Sequence, residues 1–257
     1  MVYSFSSLTE YEACPYSFYL RKKEGIKGDT NGSAEIGSYA HKLLEEIIKG
    51  IKTVTQALDD CVENFYDYIT DDKMSYASKE KKYIELCDYL SSLKSDALRN
   101  YETLGVEQLI FWDLGDYRMC GVIDLILKDK TTNEVVLVDH KSSPHFLKKD
   151  GSPLKSQLQS FEKYKKQMYL YAYAMKQKYG YSPDKIVWNH FLDGGAVTVI
   201  QFNEADMQKT LDWAKEIIER IERDREFAAC QDDFLYCNRF CGYRNGICEF
   251  KDLEEED

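Results

Sequence analysis

The stretch between Gly121 and Ser143 constrains the fold more than any other part of the chain. Two apolar runs flank a polar turn at 129–133, and this arrangement predicts a β-hairpin. Asp124 interrupts the first run, and Asp139 ends the second, although an apolar pattern needs neither carboxylate. Burying a carboxylate costs free energy unless a cation pairs with it. Two such strands side by side therefore predict a bound divalent metal ion.

Lys141 follows Asp139 by two residues and supplies a third chemical group. An ammonium beside two metal-held carboxylates can orient a water molecule and stabilise negative charge on a phosphate. The alternative is an ordinary ion pair, because residues two apart on a strand share a face and such pairs are common at strand ends. The D-x-K pattern alone does not decide between the two.

Length and cysteine content limit the class of protein. A chain of 257 residues can bury a sizeable core, as one large domain or as a domain with a helical insertion. No apolar run approaches the roughly 20 residues of a membrane span, and residues 1–20 lack the pattern of a signal peptide. We therefore expect a cytoplasmic protein with no membrane partner. In that reducing compartment, eight cysteines favour metal ligands over disulfides.

Charge is distributed unevenly along the chain. The net charge of −11 argues against sequence-independent adhesion of the whole surface to nucleic acid. Between 141 and 178, however, the sequence contains nine lysines and only two acidic residues, Asp150 and Glu162, which gives a local net charge of +7. A basic strip directly after the hairpin predicts contact with a phosphate backbone, with Lys163 and Lys166 as candidates. A solvated, lysine-rich helix face is the alternative.

Caps and apolar spacing predict the helices. Ser4 caps a short helix that stops before Pro15, and Pro15 opens a second helix. Apolar residues at three- and four-residue steps predict further helices over 33–50, within 52–103, over about 155–179 and over about 203–227. The region from Gly105 to 128 is predicted to be β structure, and a second hairpin is predicted at 184–202.

Cysteines cluster at the end of the chain. The segment 229–250 is rich in aromatic residues and arginine, and a stretch of twelve residues in it contains Cys237, Cys241 and Cys248. This clustering indicates a metal site. Cys230 lies just before them. Cys14 lies at the junction of the first two helices, where a small buried thiol is the ordinary interpretation. The acidic residues 251–257 are predicted to form a solvated tail.

Three motifs resemble the PD-(D/E)XK nuclease superfamily and its RecB-like exonuclease branch. Gly121 and Asp124, followed after about fifteen residues by D-x-K, are similar to the superfamily core. The motifs G-x-x-x-H and Q-x-x-x-Y match Gly37 to His41 and Gln167 to Tyr171, in family order across roughly residues 1–250. Without the resemblance, His41 would be interpreted as a core histidine whose hydrogen bonds are made within the protein. Tyr171 would be part of an aromatic helix face packed on the sheet.

The resemblance implies a single α/β domain over 1–257. It has a restriction-endonuclease-like core, a mixed central sheet flanked by helices, a helical insertion at 52–103 and a C-terminal cysteine-rich segment. The implied ligands for Mg²⁺ or Mn²⁺ are His41, Asp124, Asp139 and the backbone carbonyl of His140. Lys141 helps activate the water, and Gln167 and Tyr171 touch DNA and orient Lys141. Glu107 either neighbours the metal or faces water from an edge strand.

The resemblance also implies a [4Fe–4S] cluster on the cysteines. Its ligands are Cys14, Cys237, Cys241 and Cys248. The family spacing is two and then about five residues between the last three cysteines, whereas this chain has three and six. Tetrahedral Zn²⁺, with Cys230 competing for the fourth position, therefore remains an alternative.

The implied activity is metal-dependent DNA exonuclease cleavage in recombination, repair or phage-type DNA processing. Its partners are DNA with a free end and a helicase or recombinase subunit. Two alternatives come from other functional classes. One is a catalytically silent subunit that binds DNA ends or acts as a scaffold in a recombination complex. The other is a metal-stapled interaction protein whose acidic surface meets a protein partner.

Overall fold

The central sheet is built around the predicted hairpin. In the computed structural model, which describes residues 1–71, 73–230, 236–237, 241–244 and 246–248, one sheet contains β1 (Val2–Tyr3), β2 (Tyr101–Leu114), β3 (Tyr117–Asp129), β4 (Val135–Lys141), β5 (Lys185–His190) and β6 (Ala196–Gln201). Its order is β1-β3-β4-β5-β6, with β2 on the other edge of β3. The β1–β3 and β4–β5 pairs are parallel, and the others are antiparallel. The predicted mixed sheet is confirmed.

Helices precede, interrupt and follow the strands. Their bounds are α1 (Phe5–Ala13), α2 (Pro15–Lys22), α3 (Gly32–Ile48), α4 (Val54–Tyr68), α5 (Tyr76–Ser92), α6 (Leu158–Tyr179) and α7 (Glu204–Arg223), with a 3₁₀ turn at Lys155–Gln157 before α6. The hydroxyl of Ser4 accepts a hydrogen bond from the backbone N–H of Ser7, which caps α1, and Pro15 is the first residue of α2. Both helix starts were predicted, because capping depends on local sequence.

Helices cover both faces of the sheet. The main core packs α1, α6 and α7 on one face, around residues such as Trp188, Met168 and Ile218. On the other face, Ile48 of α3 covers a small cluster that includes Leu125. The predicted α/β class, with a central sheet between helices, is therefore confirmed.

The predicted insertion contains two helices, α4 and α5. They pack with α3 around a separate apolar cluster that includes Phe65 and Leu90. Strand β2 begins at Tyr101, four residues earlier than the predicted β region. A register shift between Thr103 and Gly105 interrupts the ladder there. A bulge of this kind disturbs the two-residue alternation by which strands are recognised in a sequence.

Two further predictions concern the surface and the end of the chain. In the described ranges, none of the helices combines the length and the apolar character needed to cross a membrane. The predicted acidic tail at 251–257 lies outside the described residues.

Candidate active site

The candidate site lies where β3 and β4 separate. These strands pair from Lys128 opposite Val135 to Leu125 opposite Val138. On the Asp124 side of Leu125 they separate. Because β2 occupies the other edge of β3, β1 and β4 share the remaining edge and leave a gap between Met119 and Leu125. Asp124 lies at this fork.

The carboxylate of Asp124 spans the fork. Its Oδ2 accepts a hydrogen bond of 2.7 Å from the backbone N–H of His140 on β4. Asp139, the residue before His140, is only 2% exposed, and Asp124 is 8% exposed. Two carboxylates this buried, next to each other, require positive charge nearby.

On β2 and β3, the alternation of side chains between the two faces of the sheet is interrupted beside the fork. Ile123 and Ile126 both belong to the main core, whereas Leu125 packs on the α3 side. On β2, the ladder pairs the neighbours of Glu107 with the neighbours of Asp124, so these two acids lie opposite each other. Glu107 has a φ of 46°. This left-handed backbone is costly outside glycine, and strained backbone of this kind is common beside active sites.

His41 completes a three-residue group. Its Nδ1 lies 3.4 Å from Glu107 Oε1 and 3.5 Å from Asp124 Oδ2, and one ligand atom from each residue lies within 4.8 Å of the others. Its Nε2 lies 3.0 Å from the backbone carbonyl oxygen of His140. The imidazole meets the rings of His140 and Phe191 edge-on, with centroids 5.8 and 6.2 Å apart, so it faces the sheet. The structure thus places His41, Asp124 and the His140 carbonyl together and adds Glu107.

Asp139 and Lys141 form the second half of the site. Lys141 Nζ lies 2.6 Å from Asp139 Oδ2, donates to Gln167 Oε1 at 3.2 Å and sits 4.3 Å from the ring centroid of Tyr164. Gln167 Nε2 in turn donates to the hydroxyl of Tyr171 at 3.2 Å. The predicted Q-x-x-x-Y pair on α6 therefore holds the lysine, with Tyr164 beneath its ammonium.

Gly121 allows Tyr171 to reach this position. A Cβ atom at Gly121 would lie 2.5 Å from Cε1 of Tyr171, closer than real contacts permit. The same ring meets Trp112 edge-on, with the centroids 6.4 Å apart. The glycine of G-x-x-D is thus required by a close approach between the sheet and α6.

Burial and charge shift the proton affinities of the site. Burial and then the charge of Asp139 raise the pKa of Asp124 to about 7. Burial lowers the pKa of His41, but the hydrogen bond with Glu107 and the nearby aspartates overcome this and raise it to about 8. Burial also opposes the charge of Lys141, yet Asp139 and Asp124 raise its pKa to about 12. Without a metal ion, the site therefore tends to retain protons.

A divalent ion suits this donor set. The carboxylates of Glu107 and Asp124, the carbonyl oxygen of His140 and the imidazole of His41 are mostly hard ligands, which Mg²⁺ and Mn²⁺ prefer over thiol-seeking ions. Nearby positive charge would also relieve the repulsion that raises the pKa of Asp124. The chemistry of the residues thus fits the predicted metal.

Comparison with known proteins identifies the family. The model of the PD-(D/E)XK nuclease superfamily matches residues 2–249. The chain belongs to this nuclease superfamily. Membership supports a metal-dependent nuclease.

Solved structures add evidence on the fold of this superfamily member. The crystal structure of a Eubacterium rectale protein named "Putative exonuclease" matches with a TM-score of 0.51 and 16% identity. The match covers 86% of this chain and 80% of the other. At this identity the likeness concerns the fold alone, which is that of a restriction-endonuclease-like domain. A search of curated proteins finds no match.

The two lysines predicted to touch DNA lie in different surroundings in this PD-(D/E)XK protein. The ammonium of Lys163 lies 5.9 Å from the ring centroid of Tyr164, the ring that also contacts Lys141, and burial and then the charge of Lys141 lower the pKa of Lys163. The ammonium of Lys166 instead lies 4.2 Å from the ring centroid of Trp213 on α7. The helical pattern of α6 could not reveal this contact, because it depends on how α7 packs.

In this superfamily member, Cys14 from the beginning of the chain lies near the cysteines from its end. Cys14 Sγ accepts from the backbone N–H of Cys230 at 3.4 Å, and Cys237 Sγ lies 3.3 Å from the carbonyl oxygen of Cys230. The pKa of the Cys241 thiol is raised by burial and, to a smaller extent, by Cys14 and Cys248. No three of these thiols, within the parts of 230–248 that the structure describes, come within 4.8 Å of one another.

Proposed function

We propose that this PD-(D/E)XK protein is a RecB-like DNA exonuclease that depends on Mg²⁺ or Mn²⁺. One observation carries the proposal. His41, Glu107 and Asp124 converge on one side of an open strand fork, and Asp139 holds Lys141 on the other. This arrangement offers a cation and an ammonium to a single phosphodiester.

The metal would be held by His41, Glu107, Asp124 and the carbonyl oxygen of His140, with Asp139 beside them. When bound, the ion stabilises negative charge on the phosphate and makes a coordinated water more acidic. Lys141 remains a cation beside Asp139, so it donates hydrogen bonds and stabilises charge, and it does not act as a base.

Gln167 and Tyr171 act through Lys141. The amide oxygen of Gln167 accepts from the ammonium, and its NH₂ group is held by the Tyr171 hydroxyl. This chain limits the rotation of a long, flexible side chain, and fixed donors stabilise a transition state better than mobile ones. We assign Gln167 and Tyr171 as positioning residues that also lie close enough to the site to contact DNA.

The exonuclease assignment, the free DNA end and the biological setting form the finer part of the proposal. They are supported by the three RecB-like motifs and by the name of the Eubacterium rectale relative in fold. Recombination, repair or phage-type DNA processing in the cytoplasm, with a helicase or recombinase subunit, is the proposed setting.

Digestion of matched linear and closed circular DNA tests this function. The wild-type protein is expected to release nucleotides from linear DNA with Mg²⁺ or Mn²⁺, to stop in EDTA and to spare circles. Asp124→Ala and Lys141→Ala are expected to lose digestion, whereas Lys81→Ala, at an exposed lysine on α5, keeps it. Cleavage of circles at the same rate contradicts the exonuclease assignment. End binding without metal-dependent cleavage supports the silent scaffolding subunit instead.

We further propose that Cys14, Cys237, Cys241 and Cys248 bind a [4Fe–4S] cluster that joins the two ends of the domain. The chain near Cys241 already docks on the segment after α2, because Gly242 accepts from the backbone N–H of Asp29 at 2.8 Å.

Anaerobic purification tests the cluster. Bound iron and sulfide with absorbance near roughly 400 nm are expected, and Cys14→Ser is expected to lose them. Stoichiometric zinc without this absorbance contradicts the cluster and supports the zinc alternative.

A further inference from the structure

A rigid loop follows the catalytic strand. Residues 142–154, here called the basic loop, connect β4 to the 3₁₀ turn before α6. Both the backbone N–H and the ring Nδ1 of His145 contact Asp193 Oδ2, at 2.9 and 2.6 Å. Nδ1 of His190 lies 2.8 Å from the carbonyl oxygen of Ser143. These contacts fasten the loop to the end of β5 and the turn that follows it.

Phe146 joins the basic loop to the candidate active site. It is fully buried, and its backbone N–H donates to Thr198 Oγ1 at 3.1 Å. Its ring stacks on Tyr164, with the centroids 5.9 Å apart, and the same tyrosine supports the ammonium of Lys141. The basic loop is therefore held in a fixed position next to the catalytic lysine.

The basic loop presents two lysines for which the structure shows no carboxylate partner among the residues that it describes. Lys148 and Lys149 are exposed, and neither forms an ion pair with a carboxylate in the described part of the chain. The adjacent Asp150 accepts from the backbone N–H and hydroxyl of Ser152, which engages its carboxylate within the loop. Free cations at this place are informative in a protein whose net charge is −11.

His145 offers a third donor. Its side chain is 44% exposed, and its Nδ1 is engaged by Asp193. Its Nε2 makes no hydrogen bond with a residue that the structure describes. A histidine held by a carboxylate at one nitrogen presents the other in a fixed direction.

We propose that the imidazole of His145 and the ammonium groups of Lys148 and Lys149 bind phosphates of the DNA strand, a few nucleotides from the phosphate at the metal site. This inference rests on the proposed nuclease function. His145 follows Lys141 by four residues, so it can lie at most about 14 Å away, or roughly four nucleotides along a strand. Mobile lysines and a fixed imidazole suit a repeating chain of phosphates and carry no sequence preference.

Salt-dependent binding measures the phosphate contacts. We would follow the anisotropy of a labelled single-stranded oligonucleotide with the full chain in EDTA, between about 50 and 200 mM salt. Lys148→Ala/Lys149→Ala is expected to reduce the slope of log K against log salt by about 1.4, because each contact with a single strand contributes about 0.7. Lys81→Ala/Lys94→Ala, which removes two other exposed lysines, is expected to leave the slope unchanged.

Variants of His145 test the fixed donor. His145→Gln is expected to weaken binding by about tenfold, as for loss of a charged hydrogen bond. His145→Lys is expected to recover most of the affinity, whereas a purely structural role would not be rescued by lysine.

The outcomes separate this inference from the proposed function. If wild-type protein digests DNA and the Lys148/Lys149 variant keeps the wild-type slope, the basic loop does not bind phosphates. If the slope falls as expected but no variant or wild-type preparation digests DNA, the nuclease proposal fails and the DNA-binding surface stands. Binding of a polyglutamate peptide that depends on Lys148 and Lys149, without such dependence for DNA, assigns the loop to an acidic protein partner and overturns the inference.

Discussion

Glu107 lies opposite Asp124 on the neighbouring strand, and it reaches the candidate metal site through a left-handed backbone. Regular strand geometry at these two residues would keep the side chains of β2 and β3 alternating between the two faces of the sheet. The interrupted alternation instead brings the two carboxylates and His41 together. A conformation of this kind costs about 1–3 kcal/mol, so the metal site and the local strain are parts of one arrangement.

Two substitutions at Glu107 separate its backbone role from its role as a ligand. Glu107→Gly and Glu107→Gln both remove the carboxylate, and each is expected to weaken Mn²⁺ binding on the order of tenfold or more. Glycine adopts a φ of 46° without strain, so Glu107→Gly is expected to be about 1 kcal/mol more stable than Glu107→Gln. Urea unfolding in EDTA measures the stability, and the rise of the melting temperature with Mn²⁺ measures the binding. Equal Mn²⁺ responses in wild type and Glu107→Gln would exclude Glu107 from the metal site.

The metal-free protein is expected to lose stability as the pH rises from about 6.5 to about 8, because at lower pH the opposite contribution of His140 and His190, whose pKa values are lowered by burial, offsets the trend. The pKa of Asp124 is raised to about 7, so its neutral form stabilises the fold at low pH and ionisation costs stability until the pH passes about 7. The pKa of His41 is raised to about 8, so its contribution is complete below about 6.5 and is lost as the pH passes 8. Both groups therefore change stability in the same direction.

Added Mg²⁺ is expected to reverse this trend, because metal ions compete with protons for the same ligands. The rise of the melting temperature on adding Mg²⁺ should be larger at pH 8 than at pH 5.5. For a chain of this size, each 1 kcal/mol of stabilisation corresponds to about 2–4 °C. Differential scanning fluorimetry at both pH values, with EDTA as the reference, checks the sign. Asp124→Asn should respond weakly at both, and an equal rise in wild type at pH 5.5 and 8 contradicts the assignment.

Lys141→Ala is expected to affect stability as well as activity. Asp139 is 2% exposed and pairs with Lys141 at 2.6 Å, so removing the ammonium leaves a buried carboxylate without a partner. Loss of such a partner costs about 3 kcal/mol, and catalysis should fall by a factor on the order of 10² to 10³ or more. The sequence alone does not show how deeply Asp139 is buried, so this loss of stability follows from the structure.

The double variant Lys141→Ala/Asp139→Asn distinguishes these two effects. Removing both charges should restore much of the stability in EDTA while activity stays absent, since only the unpaired charge destabilises the fold. Thermal unfolding and digestion of linear DNA, measured on the same preparations, give the comparison. A double variant that is less stable than Lys141→Ala would show that the ion pair does not explain the loss.

The parts of the site that follow local patterns could be predicted from the sequence. The hairpin around Asp124 and Asp139 and the helix that carries His41 are defined by apolar periodicity and short turns. The contact between Gln167 and Tyr171 follows from their four-residue spacing on α6.

The remaining parts depend on relationships between distant segments. Glu107 joins the site because of the register between β2 and β3 and its unusual φ, neither of which periodicity encodes. Lys166 packs on Trp213 because α7 crosses α6 at that point. A signal for Glu107 did exist, since it is an acidic residue on a strand predicted to precede the hairpin, but facing water explained it equally well.

Gly121→Ala tests whether the contact between the sheet and α6 controls the catalytic lysine. A new Cβ would lie 2.5 Å from the Tyr171 ring, which is buried against Trp112 and has little room to move. The displaced ring would pull Gln167 away from Lys141, so both stability and catalysis should fall, the former by about 1–3 kcal/mol.

Gly37→Ala is the matched control for the added methyl group. Gly37 lies in α3, and a Cβ added there would have no neighbouring atom within 4 Å, so alanine should stabilise the helix by about 0.5–1 kcal/mol. The two alanine variants should therefore change stability in opposite directions. Adding Tyr171→Leu to Gly121→Ala should recover part of the stability, because the shorter side chain leaves room for the Cβ, while the loss of the tyrosine hydroxyl leaves catalysis impaired. If Gly121→Ala keeps full activity, the placement of Lys141 does not depend on Tyr171, and the positioning role assigned to Gln167 and Tyr171 fails with it.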